Sequence, residues 1–278
     1  GDTNLFYGGN SIVYRHSVEI IENKKIASNI YKMTIISNHV AQTANPGQFI
    51  HIKIPYDESL LLRRPISING VNRDQNLVDI VYQVVGKGTK ILSHLVTGEK
   101  LDILGPLGRG FWIPKGTKKI YIVGGGCGVA PIRFIGERWN HLDIISFLGF
   151  RGQSWTYQID EFEKFSRKVF LSSDDGSIGF KGPIISLLDK QLSIDKPDLI
   201  MACGPIPMIK ALQKTLIKYD IPCQISLEER MGCGIGGCLV CTCAIGSKNN
   251  WNYKKVCTHG PVFWSEEVIL DGEFETKC

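Results

Sequence analysis

Cysteine placement constrains this chain more than any other feature. Cys233, Cys238, Cys241 and Cys243 fall within eleven consecutive positions, and Cys257 follows. The stretch that holds them, 225–278, is too short to bury much of a core alone, so a metal centre is expected to help organise it. A disulfide framework spreads its cysteines and uses an even number, so nine unevenly placed ones fit it poorly. Clustered thiols in a reducing compartment, the cytoplasm, point instead to metal binding.

The spacing Cys233-x4-Cys238-x2-Cys241-x15-Cys257 is the plant-type pattern for a 2Fe-2S cluster. Gly232, Gly234, Gly236 and Gly237 would let the backbone wrap closely and turn N–H groups toward the sulfurs. Structural zinc usually takes two short paired knuckles, and here the fourth cysteine is solitary. A zinc-stabilised nucleotide-binding module remains the alternative of another class. Cys243, two residues beyond Cys241, would face the opposite side of an extended segment and is read as a non-ligand. Cys223 and Cys278 are read as ordinary free cysteines.

The rest of the chain divides by pattern. A length of 278 residues, 43% hydrophobic and 21% charged, excludes collagen-like, coiled-coil and disordered classes and favours two domains with a small third. Short β-rich runs at 49–54 and 78–85, punctuated by glycine and proline, predict an antiparallel β-barrel over 1–113. From 114 to 224 strands alternate with helices. Strands are expected at 120–123, 143–149, 168–172 and 198–202, and helices at 130–139, 182–192 and 207–219. That alternation predicts a parallel sheet with crossover helices, giving an α+β multidomain chain whose last unit, 225–278, carries the cysteines.

Two loops of the central unit suit a nucleotide. Gly124-Gly125-Gly126-Cys127-Gly128 joins a strand to a helix, where glycines permit close approach and helix N–H groups face a phosphate. The match to G-x-G-x-x-G is imperfect, and a tight turn alone could use such glycines. Cys203-Gly204-Pro205 follows another strand, and ligands in open α/β sheets bind at strand carboxyl ends. The net charge of +5 is mild and no dense basic stripe is present, so nucleic acid is not an expected partner. No run approaches the ~20 apolar residues of a membrane span. Gly1-Asp2-Thr3-Asn4 lacks the basic-then-apolar pattern of a signal peptide.

Arg64-Pro65-Ile66-Ser67-Ile68, after Leu60-Leu61-Leu62, completes a combination that resembles the ferredoxin–NADP reductase superfamily. The likeness is closer to one branch, the electron-transfer subunits of class 1B dihydroorotate dehydrogenases. It is carried by Arg63-Arg64-Pro65-Ile66-Ser67-Ile68, Val85-Gly86-Lys87-Gly88-Thr89, Gly105-Pro106-Leu107-Gly108 and Asp174-Asp175-Gly176-Ser177. Cys203-Gly204-Pro205, Glu228-Glu229-Arg230-Met231-Gly232-Cys233 and Val256-Cys257-Thr258-His259-Gly260-Pro261 extend it. It runs from about position 17 to about 270 in one order, leaving the first ~15 residues outside. Cys127 holds a place where the family more often has another small or β-branched residue.

The resemblance implies FAD in the barrel, held by Arg64, Pro65, Ile66 and Ser67, with the Arg64 guanidinium at the pyrophosphate and the Ser67 hydroxyl near the ring. It implies backbone and hydroxyl contacts to FAD from Gly88 and Thr89. Gly125, Gly126 and Gly128 would line the NADH phosphates, while Cys203 and Gly204 would sit near the nicotinamide, Cys203 as a catalytic-site residue. Cys233, Cys238, Cys241 and Cys257 would ligate the 2Fe-2S cluster. It further implies a partner, the FMN-containing dihydroorotate dehydrogenase catalytic subunit, in a heterotetramer of two subunit types serving pyrimidine (UMP) biosynthesis. Flavin subunits of hydrogenase, sulfide dehydrogenase or transhydrogenase complexes share nearly all these residues and form the nearer alternative. Arg151, just past a strand, is the residue that could favour NADPH over NADH.

Overall fold

The computed structural model describes residues 3–7, 11–247 and 249–270. Cys278 lies outside them. The N-terminal unit is built from β1 (Thr3–Tyr7), β2 (Ser11–Ala27), β3 (Ile30–Ile36), β4 (Phe49–Ile52), β5 (Arg64–Asn72), β6 (Leu77–Gln83) and β7 (Lys100–Leu107). Two short helices, α1 (Asn38–Thr43) and α2 (Lys87–Leu92), connect them. The strands run antiparallel in the order β2-β3-β6-β5-β4-β7, and β7 pairs back onto β2. This is the expected antiparallel barrel, and its closure removes the open edges that a flat sheet would expose. β1 adds to the outer side of β2.

Alternation explains how the barrel both fills itself and packs outward. Ile50 and Ile52 of β4 point into the barrel core with Ile20, Met33, Ile35 and Ile68. Phe49, one position out of phase with them, belongs with Leu104 and Leu107 to the core of the next unit. All four β4 residues are buried, because this strand is covered on both faces.

The central unit comprises β8 (Lys119–Gly125), α3 (Val129–Arg138), β9 (Asp143–Phe150), α4 (Ile159–Glu163), β10 (Lys168–Ser173), β11 (Phe180–Lys181), α5 (Ile184–Leu192), β12 (Leu199–Cys203), α6 (Ile206–Leu216) and β13 (Cys223–Ser226). The last segment adds the hairpin β14 (Thr242–Ser247) and β15 (Asn250–Lys255), then β16 (Val262–Trp264). The central sheet has the order β11-β10-β9-β8-β12-β13-β16, parallel except for β16. Every expected strand and helix of 120–219 is present, within a few residues of its expected ends.

The cysteine segment differs from its expectation. A division between 224 and 225 falls inside β13, and β16 returns from the segment into the parallel sheet. Met231, Cys241, Ile245, Val256, Cys257 and Phe263 share one core with Tyr121, Phe147, Leu188 and Ile200. The segment therefore takes its apolar burial from the sheet rather than from a metal centre alone.

A polar seam fixes the barrel on α3. Asn69 of β5 is fully buried, and its Nδ2 donates to the Ala130 carbonyl at 2.8 Å and to Gln158 Oε1 at 3.1 Å. Gln158 Nε2 donates back to Asn69 Oδ1 at 2.8 Å. Arg133 pairs with Glu137 at 2.7 Å and Glu161 at 3.1 Å beside it. The Asn69 and Gln158 amides satisfy each other and the Ala130 carbonyl, while Arg133 Nε is buried there without a partner.

Candidate functional site

Chain order reverses between β8 and β12, which are neighbours in the sheet. Such a switch point opens a crevice at the strand carboxyl ends. Both glycine-bearing loops end there. A Cβ on Gly128 would overlap the Cys203 carbonyl and lie 2.6 Å from the Gly204 nitrogen, so the loops interlock backbone to backbone. Gly126 adopts φ +54°, and no atom stands within 4 Å of where its Cβ would project. A glycine there leaves the crevice floor as bare backbone. Tyr157 donates its hydroxyl to the Gly126 carbonyl at 2.9 Å. Cys127 Sγ donates to Gln83 Oε1 of β6 at 3.1 Å and ties the loop to the barrel.

Burial pushes the Cys127 thiol up to about 11 and the Cys203 thiol up to about 12, with Glu228 adding to both. Both are therefore neutral thiols near pH 7, small and polarisable but not nucleophilic. At the β9 exit, the Arg151 guanidinium lies 4.8 Å from the Trp155 ring centroid. At the β10 exit, Asp175 accepts from the Ser177 backbone at 2.8 Å and hydroxyl at 2.6 Å. Ser177 Oγ in turn accepts from the Gln153 backbone at 2.7 Å, joining the two exits.

The barrel motif occupies the first four residues of β5. Arg64, Pro65, Ile66 and Ser67 are half-buried, while Ile68, Asn69 and Gly70 behind them are buried. The two adjacent arginines have separate tasks. Arg63 turns inward, donating to the Asp102 carbonyl at 2.9 Å and the Asp102 carboxylate at 2.8 Å. Arg64 donates to the Leu62 carbonyl and lies against Gly88, where a Cβ would come within 3.0 Å of Nε. A guanidinium beside bare backbone suits a bound anion such as a pyrophosphate. The Thr89 hydroxyl, expected to reach a cofactor, accepts from the Val85 and Gly86 backbone at 3.0 and 3.2 Å and holds the turn into α2.

The cysteines approach one another in two pairs. Cys238 donates its backbone N–H to Cys233 Sγ at 3.3 Å, and the two thiols interact. Cys241 and Cys257 form the second pair, with the Val256 N–H donating to the Cys241 carbonyl at 2.8 Å. Burial works to raise Cys233, yet N–H groups of Ile235, Cys238 and Gly237 hold it below the ordinary thiol range. Cys257 donates toward Cys241, lowering Cys241 while its own value rises. Among the described residues, no three His, Cys, Asp or Glu side chains gather as a metal site. A two-iron centre takes two thiolate pairs, and these two pairs would be its donors. Gly234 and Gly236, at φ +73° and +80°, bend the loop between Cys233 and Cys238. Cys243 points elsewhere, its Sγ donating to the Lys254 carbonyl at 3.6 Å, and burial pushes it up to about 12.

Two residues at these junctions escape sequence reasoning. Asn69 at the seam carries no motif beyond its polarity. His51 on β4 abuts Gly234 of the cysteine loop, a contact no spacing reveals.

Comparison with known proteins agrees with this geometry. Residues 228–269 match the iron-sulfur cluster binding domain of dihydroorotate dehydrogenase B. The dihydroorotate dehydrogenase B (NAD(+)) electron transfer subunit of Caldanaerobacter subterraneus is 39% identical, over 92% of this chain and 99% of that one. The chain belongs to this family of electron transfer subunits. The corresponding subunit of Geobacillus thermodenitrificans is 38% identical over 93% of this chain and all of its own. Among solved structures, an NADH-dependent reduced ferredoxin–NADP oxidoreductase studied for flavin-based electron bifurcation superposes with a TM-score of 0.82. It is 31% identical and covers 91% of this chain and 90% of that one. A ferredoxin reductase of carbazole 1,9a-dioxygenase shares the fold at TM-score 0.64 and 21% identity, covering 75% and 67%. Family membership makes the chain an electron-transfer component of an oxidoreductase, with its iron–sulfur domain at 228–269. Among the described residues no helix is long and apolar enough to cross a membrane.

Proposed function

We propose that the chain passes electrons between NADH and the FMN-containing catalytic subunit of a dihydroorotate dehydrogenase, using FAD in the barrel and a 2Fe-2S cluster in the last segment. The observation that carries this reading is the pairing of thiols beside the barrel: Cys233–Cys238 and Cys241–Cys257, on a loop packed against β4, which is hydrogen-bonded to the Arg64 strand. Bound flavin would exchange an electron pair with NADH and single electrons with a cluster, joining chemistries that neither could join directly.

Each part of the chain has a task in this reading. Arg64, with the bare Gly88 backbone, holds the FAD pyrophosphate, and the Pro65–Ser67 strand lies along the flavin. Thr89 shapes the turn that presents Gly88. Gly125, Gly126 and Gly128 floor the nucleotide crevice at the α3 start, where helix N–H groups favour a phosphate. Cys203 and Gly204 form its opposite wall, with the neutral Cys203 thiol packing near the nicotinamide rather than attacking it. NADH rather than NADPH follows from the relatives named NAD(+) subunits, and Arg151, over Trp155, is the residue to vary in testing it. Leu239 and Val240 stand exposed between two of the thiols and would meet the catalytic partner. The complex would be a heterotetramer of two subunit types, working in the cytoplasm in pyrimidine synthesis.

Reconstitution tests the reading. Anaerobically loaded protein should carry two irons and one flavin per chain and reduce an artificial acceptor with NADH. Zinc in place of iron, or a barrel that takes up no FAD, would refute it. Co-purification from the native host should bring down a dihydroorotate dehydrogenase catalytic chain; a hydrogenase or sulfide dehydrogenase chain in its place would redirect the assignment.

A further inference from the structure

His51 occupies the place where the barrel meets the cysteine loop. It pairs with Pro65 of β5 and with Leu104 of β7. Ile50 and Ile52 on either side point into the barrel, so His51 points out of it. There its ring packs against Gly234. A Cβ on that glycine would overlap Nδ1 and lie 2.9 Å from Cε1. The side chain is 0% exposed. Backbone groups of Arg63 and Cys233 face the ring, but neither ring nitrogen makes a hydrogen bond of normal geometry. Burial brings the imidazole down to about 4, leaving it neutral with one N–H and one lone pair.

A fully buried imidazole with unmatched nitrogens is costly, and an apolar side chain would fill the same space without that cost. The residue sits between the backbone that precedes Arg64 and the backbone of Cys233. We propose that His51 is a positioning residue: its Nδ1 edge holds the Cys233–Gly234 segment against the flavin-motif strands and thereby sets the reduction potential of the cluster. The proposal rests on reading the paired thiols as cluster ligands. Cluster potentials follow hydrogen bonding to the sulfurs and solvent access. The Cys238 N–H already points at Cys233 Sγ from 3.3 Å, so a shift of this segment changes the donors around that sulfur.

The test compares His51→Leu, close in volume but without a donor, with His51→Asn, which keeps an N–H near the Nδ1 position. The full chain is reconstituted with iron and FAD, and cluster and flavin are titrated potentiometrically by EPR and visible absorbance. In His51→Leu the reduced-to-oxidised ratio of the cluster at a fixed potential falls about tenfold, equivalent to about 59 mV for a one-electron couple. His51→Asn stays near wild type, and the flavin potential moves in neither. An unchanged cluster potential in iron-loaded His51→Leu, or equal shifts in both variants, overturns the proposal. Where His51→Leu takes up no iron, His51→Gln replaces it, placing its N–H near Nε2. A tenfold shift in Gln but not in Asn then supports the proposal, and identical behaviour overturns it. Wild-type protein that binds no iron refutes the ligand reading itself, an outcome distinct from an iron-loaded variant with an unmoved potential.

Discussion

Replacing Gly128 by alanine probes the interlocked loops of the nucleotide crevice. Gly128 has no left-handed backbone to lose, so the substitution tests space alone. The added Cβ would overlap the Cys203 carbonyl and approach the Gly204 nitrogen to 2.6 Å. Comfortable carbon contacts lie near 3.5–4.0 Å, so relief requires a movement of about 1 Å. Both obstacles are backbone, so no side-chain rotation can absorb it. The β12 exit must move away from the β8 exit, and the crevice between them changes shape. Overpacking of this kind costs about 1–3 kcal/mol, which a domain of ordinary stability survives. A misplacement of about 1 Å around reacting groups costs on the order of 100-fold in rate. Gly128→Ala should therefore fold, retain iron and flavin, and lose about 100-fold in kcat/KM for NADH with an artificial acceptor. Stopped-flow flavin reduction and urea unfolding read the two effects separately. A variant that folds and reduces its flavin at the wild-type rate would show that the nucleotide does not use this crevice.

Four further substitutions address other parts of the chain. Cys238→Ser should lose iron while keeping flavin and NADH-dependent flavin reduction, whereas Cys243→Ser should keep its iron; metal analysis that found the reverse would reassign the ligands. Asn69→Ala leaves the Ala130 carbonyl and the Gln158 amide unmatched at a buried seam, so stability should fall by about 2–3 kcal/mol in urea titrations; a loss below about 0.5 kcal/mol would mean that the seam is hydrated. Burial opposes ionisation of Asp102, but Arg15 and Arg63 outweigh it and hold its carboxyl below the usual range. The stabilisation from this pairing is complete above the unfolded value of about 3.9 and is lost as pH falls through the lower folded value. Thermal melts should show the advantage of wild type over Asp102→Asn shrinking below about pH 4, and a constant advantage would rule out an ionised pair.

What the sequence disclosed follows the range of the interactions involved. The alternating unit was legible because each parallel strand and its helix are continuous apolar stretches: 120–123 lies within β8 and 143–149 within β9. The paired thiols were legible because ligand spacing is local. β2 was not anticipated, although its residues alternate between exposed and buried from Arg15 to Ile20. Farther along it, Glu22, Asn23, Lys24 and Lys25 break the apolar signal. β16 is three residues long, and only its pairing with β13 makes it a strand. His51 and Asn69 gain their surroundings from contacts 183 and 61 positions away, with Gly234 and Ala130. No short-range pattern encodes such partners, so their roles emerge only once β4 is covered on both faces and β5 lies on α3.

The contacts of the barrel explain how a small cysteine segment can be held in register with two other units. β5 carries Arg64 at one end and Asn69 farther along, so the flavin motif and the α3 seam share one strand. β6 supplies Gln83 to Cys127 in the nucleotide loop. β4, lying between β5 and β7, offers His51 to the cysteine loop. Three adjacent strands of one closed sheet therefore contact all three proposed cofactor regions. Closure makes a barrel stiff against sliding of its strands, since a shift in one register would have to propagate around the ring. The cysteine segment is anchored at its far end by β16 and by Val262 and Phe263 in the sheet cores, and at its near end by its continuation from β13, by buried Met231 and by the His51–Gly234 contact. Its position is thus set by burial and strand pairing at both ends, while the thiols set what it binds.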